Sequence, residues 1–500
     1  MGGLPTMDLH RFLAFDLGAE SGRAVVGTLQ DGRLSLEEIS RFPNEPVQIH
    51  DTLNWDVLAL HNNILKGLRE YVGRYGDSVE GVGVDTWGVD FGLLSKGGEL
   101  LQNPVHYRDR RTEGMLEEAR ARITPVELFK RTGMTPLPIN TSFQLLSLRV
   151  NQNPLLDYAS TLLMMPDLLA YFLTGRKCCE RTNAITTQLY DPWERGWSEE
   201  VIRKLDLPLS LFPELVDPGT ILGELLGSVG EKVGLMRGVV IAPCTHDTAS
   251  AVAAVPAQGE DWAFLSCGTW SVVGTLTPEV VTSSQAFAAG AFNELTLQSY
   301  FLCRNIMGLW LLQQARAVWE EEGEMYSYEE LGKLAGQAPE GGPLVNPDAP
   351  RFLAPQAMTQ SIREYCVQTK QRIPHGVGET TRCVLESLAF AYRHRLAQLA
   401  AMLGRSLQVL HLVGGGSKNS LLCQLTANAT GLPVLAGPSE ATVAGNVMAQ
   451  ALAKGYVSTP TEIREVVRRS TKLVEYEPRD TGRYQERYGE YLRLLESAAQ

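Results

Sequence analysis

Two stretches half a chain apart carry the same pattern. Residues 11–29 read RFLAFDLGAESGRAVVGTL and residues 263–276 read AFLSCGTWSVVGTL. Each is an apolar run, a polar turn with glycine, and a β-rich run closing on Val-Val-Gly-Thr-Leu. Two such runs around a short glycine turn read as a β-hairpin. Val-Val-Gly-Thr-Leu is also ordinary strand sequence, so the repeat alone leaves coincidence open. The other reading is two domains of similar topology, each opening with a hairpin. A length of 500 residues fits, at roughly 100–200 residues per domain. Between residues 247 and 262 a small-residue helix pattern gives way to the second hairpin. The expected division is therefore 8–254 and 255–500.

Composition narrows the function classes. Hydrophobic residues make up 44% and charged residues 20%, which rules out disorder as the main state. The chain has 45 Lys and Arg against 57 Asp and Glu, a net charge of −12, so it does not suit a binder of phosphate backbones. No run approaches the roughly 18 apolar residues of a membrane span, and residues 1–10 lack the pattern of a secretory leader. A cytoplasmic protein without nucleic-acid or membrane partners is expected. The eight cysteines, 178, 179, 244, 267, 303, 366, 383 and 423, form no CxxC pair, which argues against a zinc site. They read as buried, reduced thiols, with Cys366 and Cys383 the pair to watch for a bridge.

The remaining pattern is α/β. Residues 79–84 read as a strand with 89–94 as its partner, and 239–242 as another. Residues 407–413 form a strand running into Gly414-Gly415-Gly416, followed by helical spacing over 419–429. Strand, glycine turn and helix make a nucleotide-type element. Residues 381–403 are amphipathic. Residues 439–453 are a helix of small side chains behind a Ser cap. Tyr484, Tyr488, Tyr491, Leu492 and Leu495 form a core stripe, residues 320–324 a solvated acidic face, and 337–356 a long surface loop.

Several nucleotide and hydrolase signatures are absent. The Gly332-Lys333 pair is followed by Leu334, so there is no Walker A motif, and GxGxxG, HExxH and GxSxG are missing. Asp16 to Arg23 is more informative. A carboxylate at a strand end precedes a turn of small residues, which lets backbone N–H groups approach phosphate oxygens, while the carboxylate suits hydrated magnesium. An ordinary hairpin with an incidental Asp is the alternative. Ser266 to Trp270 offers a similar turn, so the two turns could hold one polyphosphate, with Gly414 to Gly416 receiving a nucleoside. Asp247 opens a helix after a strand and reads either as a cap or as a general base.

This combination resembles the superfamily of acetate and sugar kinases, Hsp70 and actin, and more closely the carbohydrate kinases of the FGGY family. VDTWGVDF (84–91), HYRDRRT (106–112), MPD (165–167), TNA (182–184), HDTASA (246–251), NIMGLWLL (305–312) and VGGG (413–416) are similar to the branch of that family acting on L-rhamnulose. So is the loop from NPD (346–348) to RFL (351–353). The resemblance implies an α/β fold of two ribonuclease-H-like (actin-like ATPase) domains with an interdomain cleft. Residues 8–254 would bind sugar and carry the base, and 255–500 would bind nucleotide. It implies ATP and Mg2+, with Ala19, Glu20, Ser21, Gly22, Arg23 and Thr269 on phosphates, Gln313 and Gly415 lining the nucleotide site, and Asp16 on magnesium through water. Gly88, His246, Asp247, Thr248 and Asn305 would contact sugar, and Asp247 would be the catalytic base. Glycerol kinases have an Arg-Glu pair where this chain has Gly88-Val89 and Trp where Tyr107 stands. Gly88 is thus expected to leave room for a larger deoxy-methyl sugar. The implied reaction gives L-rhamnulose 1-phosphate and ADP in L-rhamnose catabolism, by a monomer or homodimer. Two rivals stay open: an FGGY kinase for xylulose, ribulose or fuculose, and an actin-like or chaperone ATPase.

Overall fold

The computed structural model describes residues 9–497. In β1 (Leu9–Leu17), Leu13, Phe15 and Leu17 enter one apolar core and Phe12 and Ala14 another, all fully buried. Alternation with both sets buried marks a strand covered on both faces. β1 pairs antiparallel with β2 (Ser21–Gln30), which pairs with β3 (Arg33–Pro43). On its other side β1 runs parallel to β4 (Gly81–Thr86). β5 (Ile221–Glu224) and β6 (Val239–Ile241) complete the order β5-β6-β4-β1-β2-β3.

The chain divides into two compact units. The first takes in the chain up to Ala254 together with Thr277–Leu302 and Ala441–Ser470. The second takes in Val255–Leu276, Cys303–Glu440 and the chain from Thr471 on. The second half of the sequence therefore supplies two segments to the first unit. One is the helix Ala441–Ala453, whose small residues let it lie close on the first sheet. A Cβ at Gly83 of β4 would stand 2.4 Å from Asn446 Oδ1, and one at Gly445 would stand 1.8 Å from the Ser250 carbonyl oxygen.

In the second unit β7 (Trp262–Cys267) pairs antiparallel with β8 (Trp270–Thr277). β7 also runs parallel to β10 (Val409–Val413), with β9 (Tyr300–Met307) between them in sequence. With β11 (Val434–Ala436), β12 (Val474–Tyr476) and the edge strand Phe292–Leu295, seven strands run in the order β12-β11-β10-β7-β8-β9 and then Phe292–Leu295. The run β10-β7-β8-β9 repeats β4-β1-β2-β3, while the two outer strands come in opposite sequence order, β12-β11 against β5-β6. The parallel and antiparallel pairings from β12 to β8 match as well. The hairpin repeat is thus the visible end of a repeated sheet. The helix Gly376–Leu403 buries Leu385, Leu388, Ala389 and Tyr392.

Two expectations are corrected. Residues 89–94 do not partner 79–84: Phe91–Leu94 pairs with Thr161–Met164, because β4 already has β1 and β6 on its two sides and Val89 takes φ +70°, turning the chain away. The 337–356 loop is not confined to the surface. Leu344, Val345 and Phe352 are buried, and Val345 N donates to Ser387 Oγ at 2.9 Å. The eight cysteines are buried free thiols, and Tyr484, Tyr488 and Tyr491 pack on Phe390.

The close approach at Gly445 predicts that Gly445→Ala destabilises the protein by about 1–3 kcal/mol or more through overpacking. Gly73→Ala, in the helix Val57–Tyr75 where a Cβ meets nothing within 4 Å, should be neutral or stabilising by about 0.5–1 kcal/mol. Urea unfolding of both variants checks this, and equal effects would refute it.

Candidate active site

Parallel pairing of β1 with β4 sets Asp16 opposite Asp85 and Leu17 opposite Thr86. Thr86 N donates to the Thr245 carbonyl at 2.9 Å, which brings His246 and Asp247 to the same strand ends. The helix Asp247–Ala253 starts there. His246 occupies its cap position without a side-chain cap bond, and Asp247 lies in the first turn. Asp247 Oδ1 accepts from Thr248 N at 2.5 Å and Thr248 Oγ1 at 3.2 Å. The Asp247 side chain keeps 32% of its surface exposed, His246 only 12%.

His246 stands between two carboxylates. Its Nε2 is 3.4 Å from Asp247 Oδ1 and its Nδ1 is 3.1 Å from Glu294 Oε2. Burial works against an imidazolium, but Glu294, then Asp247 and Glu180, outweigh it and push the pKa up to about 9. Burial raises the Asp247 pKa, His246 lowers it and Asp16 raises it again, for a net increase. Asp85 is fully buried. Burial and then Asp16 push its carboxyl well up, against a hydrogen bond from Asn446 Nδ2 at 2.5 Å. Asp85 and Asp247 therefore differ in setting: Asp85 is buried with its carboxyl pushed up, whereas Asp247 is partly open to solvent and beside His246.

The first turn is held by its own backbone and by the Asn44 side chain. Gly18 N donates to Ser21 O at 2.9 Å, and Asn44 Nδ2 to Gly18 O at 2.8 Å. Ala19 and Ser21 are half-buried and Glu20 is exposed. Gly22 is required by packing, since a Cβ there would stand 2.3 Å from the Phe42 ring. Arg23, opposite Asp16 across the hairpin, donates to Asp16 Oδ2 from Nε at 2.9 Å and Nη2 at 2.7 Å. The guanidinium expected on phosphate is thus joined to the carboxylate expected on magnesium. At Gly88 the nearest neighbour of a Cβ would be Thr186, at 2.9 Å. The space its missing side chain leaves is met first by protein, not by the room expected for a larger sugar.

In the second unit Gly268 N donates to Trp270 O at 2.9 Å, the counterpart of the Gly18 bond. Leu309 N and Trp310 N donate to the carbonyls of Gly268 and Thr269, which seats the helix Trp310–Glu321 on the turn. Gln313 Nε2 donates to Thr269 Oγ1 at 3.1 Å. Gly414 takes φ +81°, and a Cβ there would stand 3.1 Å from Cys267 O. A Cβ at Gly416 would meet Cys267 Sγ at 2.3 Å, while one at Gly415 meets nothing within 4 Å. Thr269, Gln313 and Gly415 therefore gather at the ends of β7 and β10. Asn305 is half-buried, two residues before the end of β9.

Among the described residues no group of three or more His, Cys, Asp or Glu is placed to hold a metal ion. A single strand-end carboxylate, Asp16, fits magnesium that arrives on phosphates and keeps most of its water. Sequence reasoning gives Asp85 no role of its own. Its signal is the strand-end carboxylate pattern shared with Asp16. Glu294 and Asn446 have no local signal, because each reaches the site from a distant segment.

Residues 11–254 match the FGGY family of carbohydrate kinases, N-terminal domain, and residues 263–454 match its C-terminal domain. The chain is 42% identical over 480 residues to a rhamnulokinase of Bacteroides thetaiotaomicron, covering 96% of this chain and 98% of that protein. It is 38% identical over 488 residues to a rhamnulokinase of Enterococcus faecalis, covering 96% and 97%. Among solved structures, a gluconate kinase from Lactobacillus acidophilus superposes with a TM-score of 0.82 at 16% identity, covering 99% of each chain. A glycerol kinase from Plasmodium falciparum superposes with a TM-score of 0.78 at 16% identity, covering 98% of each. These likenesses establish the shared actin-like fold.

A raised His246 pKa has a stability consequence. The stabilisation it provides is complete below its ordinary value of 6.5 and is lost as pH rises through about 9. Glu294→Gln removes the carboxylate that does most to raise it. Urea unfolding across that window should show a steeper fall in stability for the native protein than for Glu294→Gln; parallel profiles would contradict the assignment.

Proposed function

The chain belongs to the FGGY family of carbohydrate kinases, and we propose that within it the enzyme transfers the γ-phosphoryl group of ATP to the carbon-1 hydroxyl of L-rhamnulose. The observation that carries the mechanism is the partly exposed Asp247 carboxyl with His246 Nε2 3.4 Å away, at the meeting of β1, β4 and a helix start. Likeness to the two rhamnulokinases over nearly full length supports the sugar.

A sugar hydroxyl has a pKa far above neutral, so its proton must leave as phosphorus is attacked. Asp247 takes that proton, the sugar O–P bond forms, the bond to the bridging oxygen breaks, and ADP leaves. The Thr248 N–H and hydroxyl fix one carboxylate oxygen and leave the other to act. His246 stabilises Asp247 as the carboxylate and donates to sugar oxygens. In the first unit Gly88 and Thr248 contact the sugar, and in the second Asn305 is the sugar contact that the family likeness suggests. In the first unit Ala19, Glu20, Ser21 and Gly22 hold phosphate through the hairpin turn, with Arg23 reaching it from its place on Asp16; in the second unit Thr269 is the phosphate contact. Gln313 and Gly415 border the nucleotide, Gly415 because its face is open. Magnesium, held by Asp16 through water, would neutralise phosphate charge.

The reading is tested by kcat/KM across a ketose panel and by one isosteric variant. L-rhamnulose should exceed glycerol, xylulose and ribulose. Equal turnover of glycerol would overturn the sugar assignment while leaving the kinase. Asp247→Asn preserves shape, and turnover should fall by about 10²–10⁴-fold with substrate affinities changed far less. Near-native kcat in this variant would refute the base.

A further inference from the structure

Glu180 is a fully buried carboxylate at the end of the short strand Cys179–Glu180. A charge in such a place is stable only if donors surround it, and four do. Oε1 accepts from Thr182 N at 2.7 Å, which caps the one-turn helix Arg181–Ala184. Oε2 accepts from the Thr182 hydroxyl, from Thr245 N at 2.9 Å and from Thr245 Oγ1 at 2.7 Å. Capping needs only the first of these. Of the other three, two come from Thr245, in the segment that immediately precedes Asp247, and the third is the Thr182 hydroxyl.

Thr182 extends the clamp. Its hydroxyl, donating to Glu180, accepts in turn from His246 N at 3.3 Å. The opposite side of the same peptide is held too, since the Thr245 carbonyl accepts from Thr86 N at 2.9 Å and from Asn183 Nδ2 at 3.4 Å. Successive N–H groups of Thr245 and His246 and the carbonyl between them are all engaged, so the backbone entering Asp247 has little freedom to turn.

We propose that Glu180 is a positioning residue for phosphoryl transfer, fixing the Thr245–His246 backbone through Thr182 and Thr245 so that Asp247 meets the sugar hydroxyl at a set distance. The inference rests on the reading of Asp247 as base. Reaction rates are sensitive to such placement: a displacement near 1 Å costs on the order of 10²-fold. Gln at 180 would keep the shape but turn an amide N–H2 toward groups that donate.

The test compares Glu180→Gln, Asp247→Asn and the double variant, with L-rhamnulose and MgATP, in the full chain. Glu180→Gln should lower kcat by about 10²-fold and move either KM by less than about threefold, because positioning acts on the transition state. In the Asp247→Asn background Glu180→Gln should add little further loss, since both act through one group. Losses that multiply in the double variant, or near-native kcat in Glu180→Gln, would overturn the proposal. Near-native Asp247→Asn would overturn the base itself, a separate result. If Glu180→Gln does not fold, the pair Thr182→Val and Thr182→Ser decides. Serine should recover most of the kcat that valine loses, and equal kcat in the two would overturn the clamp.

Discussion

The hydrogen bond from Thr86 N to the Thr245 carbonyl is the hinge of the candidate site. Parallel pairing puts Asp16 and Asp85 side by side at the ends of β1 and β4. The Thr86 bond adds a third strand end, and with it His246 and Asp247. Three carboxylates in one place repel each other, and the surroundings resolve this. Asp16 takes the Arg23 guanidinium, Asp85 is buried against Asn446, and Asp247 takes His246, itself balanced by Glu294. Only Asp247 combines a cationic neighbour with an open face. The base role proposed for it rests on that difference in setting rather than on residue type.

Close packing makes this arrangement possible. Asn446 reaches Asp85 because the helix Ala441–Ala453 lies on β4 where Gly81 and Gly83 have no side chains, and because Gly445 lets the Ser250 carbonyl approach. Gln450 Nε2 then donates to Asn446 Oδ1 at 2.7 Å, so the amide that serves Asp85 is itself oriented. Residues far along the chain thus set the environment of a carboxylate near its start.

Much of this is legible in the sequence because the hairpin repeat is local. Residues 11–29 and 263–276 each hold both strands and the turn, and the structure extends them into two sheets that share a central run of four strands in the same order. Asp16, His246 and Asp247 stand out because each ends or follows an apolar run. Their partners are not legible. Glu294 lies 48 positions after His246, and no periodicity links them. Gly88 reads as open space and is met by Thr186, a contact set by tertiary structure alone. The 89–94 strand exists but has a different neighbour, since alternation reveals a strand and not its partner. The 337–356 loop carries Pro and Gly like a surface segment, yet Val345 and Phe352 are drawn inward.

With Asp247 as base, ATP is consumed to phosphorylate a sugar and not to drive a conformational cycle. The most direct measurement is the ratio of ADP to sugar phosphate formed, with and without L-rhamnulose, followed by phosphorus NMR. The expected result is one ADP for each phosphate found on carbon 1 and little ADP without sugar. ADP released at the same rate whether or not the sugar is present would contradict it.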